Sequence, residues 1–303
     1  MAAKVVNARK IKHPLEDRIL YAVVYTIIIL FCIVVLYPII FVVSASFSSG
    51  TEVQLGHVYL WPVKPSLDGY EAVFSHKNVM NGYRNTLFYT LAGTTINVII
   101  TVICAYPLSR RDMPMRGFFM FLYTFTMFFG GGLIPTYLLV NSIGMNNTIW
   151  ALLIPGAMSV YNMIITRTFF QNSVPVELLE ASQIDGCSDA RYFFSVLLPL
   201  SQAVISVISL YYAVGHWNSY FSALIYLRKV ELQPLQLVLR NILLATRISL
   251  NEFEDPDLMD GMVGLEFLVK YALIVVSTAP IMCLYPFVQK FFAKGVMLGS
   301  VKG

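Results

Sequence analysis

The run ILYAVVYTIIILFCIVVLYPIIFVV, residues 19–43, contains no Asp, Glu, Lys or Arg. It exceeds the stretch of about 20 apolar residues that a helix needs to cross a bilayer. The charge-free segment around it extends from Arg18 to Glu52. Four more such segments follow: Arg84 to Arg110, Arg116 to Arg167, Arg191 to Arg228 and Lys270 to Lys290. One charge at the centre of a span costs about 2.5–3.5 kcal/mol on insertion scales, so this spacing is what a bilayer imposes. Of the 303 residues, 57% are hydrophobic and 13% charged, against roughly 25% charged in a soluble domain. The mean hydropathy is +0.68. A soluble enzyme, a disordered chain and a nucleic-acid binder are excluded. The fold class expected is all-α, a polytopic membrane protein.

Six spans are expected. They cover about Ile19–Val43, Thr86–Ser109, Gly117–Val140, Thr148–Phe169, Leu200–Leu227 and Leu268–Val288. Gly130-Gly131-Gly132 and the Asn141–Asn147 stretch break the long third segment. Lys4, Arg9, Lys10, Lys12 and Arg18 precede the first span. Arg110, Arg111 and Arg116 lie in the short second connection, Arg167 and Arg191 in the fourth, and Lys290, Lys294 and Lys302 in the tail. The positive-inside rule therefore puts both termini in the cytoplasm. The organisation expected is residues 1–18 as a cytoplasmic amino-terminal segment and 19–84 as the first transmembrane helix with an external loop. Residues 85–290 form a core with five transmembrane helices, and 291–303 a cytoplasmic tail. The first apolar run is too long for a signal-peptide core of 7–15 residues and reads as an uncleaved anchor.

Two external loops are substantial, about Ser46–Arg84 and Arg228–Glu266. In the second, Leu235, Leu237, Val238, Ile242, Leu243 and Leu244 surround Arg240 and Asn241, the pattern of an amphipathic helix on the outer surface. The acidic group Glu252, Glu254, Asp255, Asp257 and Asp260 beyond it reads as a solvated loop or part of a docking face for an extracellular partner. Cys32, Cys104, Cys187 and Cys283 have neither metal-ligand nor disulfide spacing. There is no phosphate-binding G-x-x-x-x-G-K-[ST] loop and no H-E-x-x-H. Ion-coupled carriers commonly place a carboxylate within a span, and none is expected in these.

The loop between the fourth and fifth spans carries the most information. Pro175 suits a first helical position with Ser173 or Val174 as its cap, and Leu178, Leu179 and Ile184 read as one apolar face. Gly186 can supply the left-handed residue that ends a helix, Ser188 caps a second helix, and Pro199 marks entry to the fifth span. The object expected is helix, Gly turn, helix. On physics alone it serves either to anchor the loop or to transmit motion from a cytoplasmic motor.

Glu180-Ala181-Ser182, then Asp185-Gly186, then Leu197-Leu198-Pro199-Leu200, resembles the E-A-A, G, L-P motif of permease subunits of binding-protein-dependent ABC importers. Ser182 stands where the family has Ala. The chain is similar to carbohydrate permeases related to the smaller maltose permease. Gln289-Lys290-Phe291-Phe292 and the tail resemble that subunit's end, and Gly130–Tyr137 resembles a branch importing oligosaccharides, including plant cell-wall fragments. The resemblance implies a type I ABC importer permease fold in a bacterial cytoplasmic membrane. It implies a non-catalytic subunit without a cofactor of its own, ATP being bound by partner subunits. The partners implied are a second homologous permease, a dimer of ATPase subunits, an extracellular sugar-binding protein, the oligosaccharide and membrane lipid, with no nucleic acid. Glu180, Ala181, Ser182, Asp185 and Gly186 would form the ATPase-coupling helix, and Gly299, Val301, Lys302 and Gly303 an ATPase-contacting tail. Sugar passage needs hydroxyl, amide and aromatic groups on an inward face. Tyr211, Tyr212, His216, Trp217, Asn218, Tyr220 and Asn97 are the candidate lining, although the partner permease could hold the sugar site. A self-contained secondary carrier and a membrane-embedded enzyme are the competing readings.

Overall fold

A computed structural model describes residues 15–250 and 264–283, and of 246–250 the backbone alone. The basic segment before Leu15, the acidic group at 252–260 and the carboxyl-terminal tail lie outside the described residues.

Among the described residues, three helices are each long and apolar enough to cross a membrane: α1 (Leu15–Ser46), α4 (Lys77–Ser109) and α15 (Gly264–Cys283). At 1.5 Å per residue α1 is about 48 Å long, more than the hydrocarbon core of about 30 Å. Its side chains are mostly exposed as far as Ile40; Phe41 and Val42 are half-buried, and Ser44, Ala45 and Ser46 are buried, as suits a helix bathed in lipid that meets the protein only at its end. Beyond Ser46 the chain builds a small cap from α2 (Gly50–Gln54) and α3 (Asp68–Ser75). Ser44 Oγ donates to the Leu60 carbonyl at 2.7 Å and so fastens the cap to the end of α1. Within the cap, Glu52 is nearly buried and accepts from Lys64 Nζ and His57 Nδ1, each at 2.7 Å. Those two donors hold its carboxyl below the usual carboxylate range. A Cβ on Gly50 would stand 2.5 Å from the Gly264 carbonyl oxygen. The start of α2 and the start of α15 therefore touch through backbone.

Helix α4 is the axis of the molecule. At one end Val79 and Trp217 join Leu235, Val238, Val269 and Val276 in a shared core. At the other, Val102, Ala105 and Leu108 pack with Met163, Phe170, Tyr192, Val204 and Ile208. The helix begins nine residues before the expected Thr86. Its extra turns are covered by α14 (Leu235–Leu250), where a Cβ on Gly82 would lie 3.0 Å from the Leu235 Cα. Leu235, Leu237, Val238 and Leu239 are buried there. The segment expected as an amphipathic helix is a helix with one buried face; its first part, Leu235–Leu239, is built into the protein core because Gly82 lets it approach the α4 backbone, while Leu244 further along is 41% exposed.

The middle of the chain is more broken than expected. Helices α5 (Arg116–Phe128) and α6 (Leu133–Ser142) meet at 110°, so residues 117–140 are not one straight span. Gly132 sits in this corner at φ +86°, which a Cβ would oppose. The fourth expected span is divided into α7 (Trp150–Leu153) and α8 (Val160–Ser173). The hairpin pair α9 (Val176–Ile184) and α10 (Asp189–Tyr192) follows α8. A π-helical turn over Phe193–Leu197 and α11 (Leu198–Leu200) then lead into α12 (Gln202–Trp217) at a bend of 79°. Pro199 has no N–H to continue the helical ladder, and a π turn beside it is a common site of helix deformation. The fifth segment ends in a separate short helix, α13 (Phe221–Tyr226). Counting each bent pair as one span gives up to five candidate spans by length and composition among the described residues.

Candidate functional site

The hairpin emerges at the basic end of α4. Helix α9 starts one residue later than expected: Pro175, with ψ 135°, occupies the capping position itself, and Ser173 closes α8 instead of capping α9. The other end follows from Gly186, at φ +71°. Its N–H donates to the Gln183 carbonyl at 3.0 Å, and the Cys187 N–H reaches back to the Ser182 carbonyl at 2.9 Å. This pair of bonds closes the last turn of α9 and requires the left-handed residue between them. Ser188 then caps α10, its hydroxyl accepting from the Arg191 N–H at 3.3 Å.

Glu180, Ala181, Asp185 and Gly186 are all exposed, and Ser182, half-buried, donates to the Leu178 carbonyl at 2.6 Å. The expected apolar face divides in two. Leu179 packs into the core formed with Phe170 and Leu197, whereas Ile184 is 87% exposed. At about 100° per residue, five positions place Ile184 roughly 140° from Leu179, so the two cannot share a face. One apolar side chain seats the helix and the other projects with the acidic groups. Behind α9 lies a cavity of about 690 Å³, reached by Glu180, Gln183, Arg110 and Arg116.

A second set of residues fixes the base of the hairpin. Arg110, whose side chain is 11% exposed, donates through Nε and Nη2 to Asp112 at 2.8 and 2.5 Å, and through Nη1 to Asp189 at 2.7 Å. The same Nη1 reaches the Tyr106 hydroxyl at 3.2 Å. The guanidinium holds the Asp112 carboxyl below its ordinary range, and its own proton is bound more firmly than usual. Around it, the last carbonyls of α4, which have no partner within the helix, receive side chains from elsewhere. Arg167 Nε donates to Leu108 at 2.9 Å and Gln171 Nε2 to Ser109 at 3.0 Å, both from α8. Arg116 donates to the Arg110 carbonyl at 3.3 Å. In the sequence, Arg110, Arg116 and Arg167 stand out only as orienting charges. The signal available was a run of Arg and Asp placed directly after an apolar helix.

The candidate lining residues do not form one surface. Tyr212 is buried, its hydroxyl sharing a 2.6 Å hydrogen bond with Thr101 and accepting from the Ser159 N–H at 3.0 Å. Trp217 donates to the Ser277 carbonyl at 2.9 Å, and Asn97 to the Gly156 carbonyl at 3.0 Å. Tyr212 and Trp217 join helix to helix, and Asn97 joins α4 to the turn between α7 and α8. The ring of His216 lies against Gly93, where a Cβ would come within 2.4 Å of it. Tyr211 and Asn218 remain on the exposed side of α12, with Tyr220 exposed just beyond its end. Gly299, Val301, Lys302 and Gly303 lie outside the described residues.

Comparison with known proteins bears on the whole chain. A family described as binding-protein-dependent transport system inner membrane component matches residues 97–298. The polygalacturonan/rhamnogalacturonan transport system permease protein YtcP of Bacillus subtilis is 40% identical over 289 residues, covering 95% of this chain and all of the relative. Protein LplC of the same organism is 39% identical over 270 residues, 89% of this chain and 90% of that one. A chain from the crystal structure of a bacterial ABC transporter involved in import of the acidic polysaccharide alginate superimposes with a TM-score of 0.82. It is 32% identical, covering 93% of this chain and 100% of its own length.

Proposed function

The chain belongs to the family of binding-protein-dependent transport system inner membrane components, and from that premise we propose that it is the permease subunit of an ABC importer that moves oligosaccharides into the cell. The observation that carries this reading is the exposed α9–α10 hairpin: a short helix closed by Gly186, tied at its base to α4 by Arg110 and to the core by Leu179. A rigid, solvent-facing peg with both legs anchored among the membrane helices converts a push from below into movement of α8 and α12. We place the basic end, with both termini, in the cytoplasm. There a dimer of ATPase subunits grips Glu180, Ala181, Ser182, Asp185 and Gly186. Residues 85–290 form the core of the permease, and the tail at 299–303 also meets the ATPase. A second, homologous permease completes the pathway, and an extracellular binding protein delivers the sugar. ATP is bound and hydrolysed by the ATPase partner, so this subunit is non-catalytic. Of the lining candidates, Tyr211, Asn218 and Tyr220 are the ones left available to a passing sugar.

Reconstitution in liposomes tests this. With the second permease, the ATPase and the binding protein present, radiolabelled oligosaccharide accumulates only when ATP is supplied on the ATPase side. The chain alone under a proton or sodium gradient accumulates none. Gradient-driven uptake by the isolated chain would establish a secondary carrier instead.

A further inference from the structure

At the end of α4 remote from the hairpin, α14 and α15 line an open groove of about 370 Å³, within the span of about 300–1,000 Å³ typical of small-molecule sites. Its walls are leucine and isoleucine side chains. Two of its lining residues are cations, Arg240 on α14 and Lys270 on the second turn of α15, joined by Tyr220, Gln236 and Ser277. Both cations are half-buried, and neither forms an ion pair among the described residues. Lys270 Nζ lies 5.8 Å from the centre of the Tyr271 ring. Two positive groups lining one groove attract an anion that enters it.

The groove has what an acidic sugar would use. The two cations suit carboxylates, and the phenol of Tyr220, the amide of Gln236 and the hydroxyl of Ser277 suit ring hydroxyls. The apolar walls suit the C–H faces of a pyranose. A neutral sugar would use the second and third and leave both charges unmet. We infer that this groove is an entry subsite on the outer side of the permease for the carboxylates of a uronate-bearing oligosaccharide. The inference rests on the import reading above and adds the charge of the substrate to it.

The test uses the assembled transporter in proteoliposomes with one fixed binding protein. The probes are trigalacturonate, the same trisaccharide with its carboxyls methyl-esterified, and neutral galactotriose. In the Arg240→Gln/Lys270→Gln variant, the concentration of trigalacturonate giving half-maximal uptake rises by about tenfold or more, as expected on removal of two partly desolvated charge partners. Half-maximal uptake of the ester stays within about twofold of the parent, which also shows that the variant is folded. The proposal is overturned if acid and ester respond alike or if neither responds. It is equally overturned if the variant's effect follows the phosphatidylglycerol content of the vesicle and not the charge of the sugar, which would make the groove a lipid-headgroup site. ATP-driven uptake of galactotriose without any uptake of the acid would overturn the inference and leave the import reading standing. Absence of uptake of all three probes would overturn both.

Discussion

Replacing Gly186 by Pro is expected to abolish transport while the protein still inserts and assembles. Gly186 stands at φ +71° and donates its N–H to Gln183. Proline locks φ near −65° and has no N–H, so the substitution removes one bond of the turn and forces apart the other, from Cys187 to Ser182. The cost of such a change is about 3 kcal/mol, which lowers the population of the correctly formed hairpin by roughly a hundredfold. No atom lies within 4 Å of a Cβ built at this position, so the damage is conformational and stays local. A graded series separates this cause from a general loss of fold. Asn, which tolerates the left-handed region, retains most of the uptake. Ala, penalised by about 1–2 kcal/mol there, loses a large part, and Pro loses all of it. Membrane levels of the three variants should agree within about twofold, since the spans contribute the insertion energy and are untouched. Equal uptake by all three would show that the turn plays no part in transport.

Arg110→Ala is the second large effect, and it divides differently between stability and function. The guanidinium joins Asp112, 2 residues away, to Asp189, 79 residues away, and in doing so pins the second leg of the hairpin to the end of α4. Asp112 and Asp189 are 65% and 68% exposed, so both rehydrate readily when the arginine is removed. The loss of stability is therefore only about 1–2 kcal/mol, a few degrees in the melting temperature of the detergent-solubilised protein. Coupling suffers more, because a hairpin free to swing at its base absorbs the ATPase stroke without passing it on. Uptake per ATP hydrolysed should fall by about tenfold, because a stroke taken up by the loosened hairpin still consumes ATP. Arg110→Lys should not restore it, since an ammonium cannot reproduce the forked contact with Asp112 while reaching Asp189. An unchanged ratio of uptake to hydrolysis in Arg110→Ala would assign the arginine to stability alone.

What could be read from the sequence divides along a physical line. Features set by neighbouring residues were legible. The charge-free run after Arg18 specifies α1 by composition alone, and Gly186 announces the end of α9 because few other residues adopt its conformation. Features set by contacts between distant segments were not. The apolar pattern of residues 235–244 suits a membrane surface as well as a protein core. Only the missing side chain at Gly82, some 150 residues earlier, decides between them. Tyr212 and Trp217 offered polar groups fit for a sugar, but their partners, Thr101 and the Ser277 carbonyl, lie on other helices. The Gly130-Gly131-Gly132 run was visible as a break, yet the sharpness of the corner depends on how α6 settles against its neighbours. Leu179 and Ile184 are alike in hydrophobicity, but helical geometry separates them, a distinction already present in their spacing.

Cross-linking from Ala181→Cys, with Cys32, Cys104, Cys187 and Cys283 replaced by Ser, asks where the hairpin tip lies in a working transporter. In the assembled complex a short thiol-reactive cross-linker should join position 181 to the ATPase subunit, with a yield that changes when ATP is bound. Labelling of the same cysteine by a membrane-impermeant reagent from outside intact cells, or an actively transporting complex that gives no ATPase adduct, would contradict the coupling role.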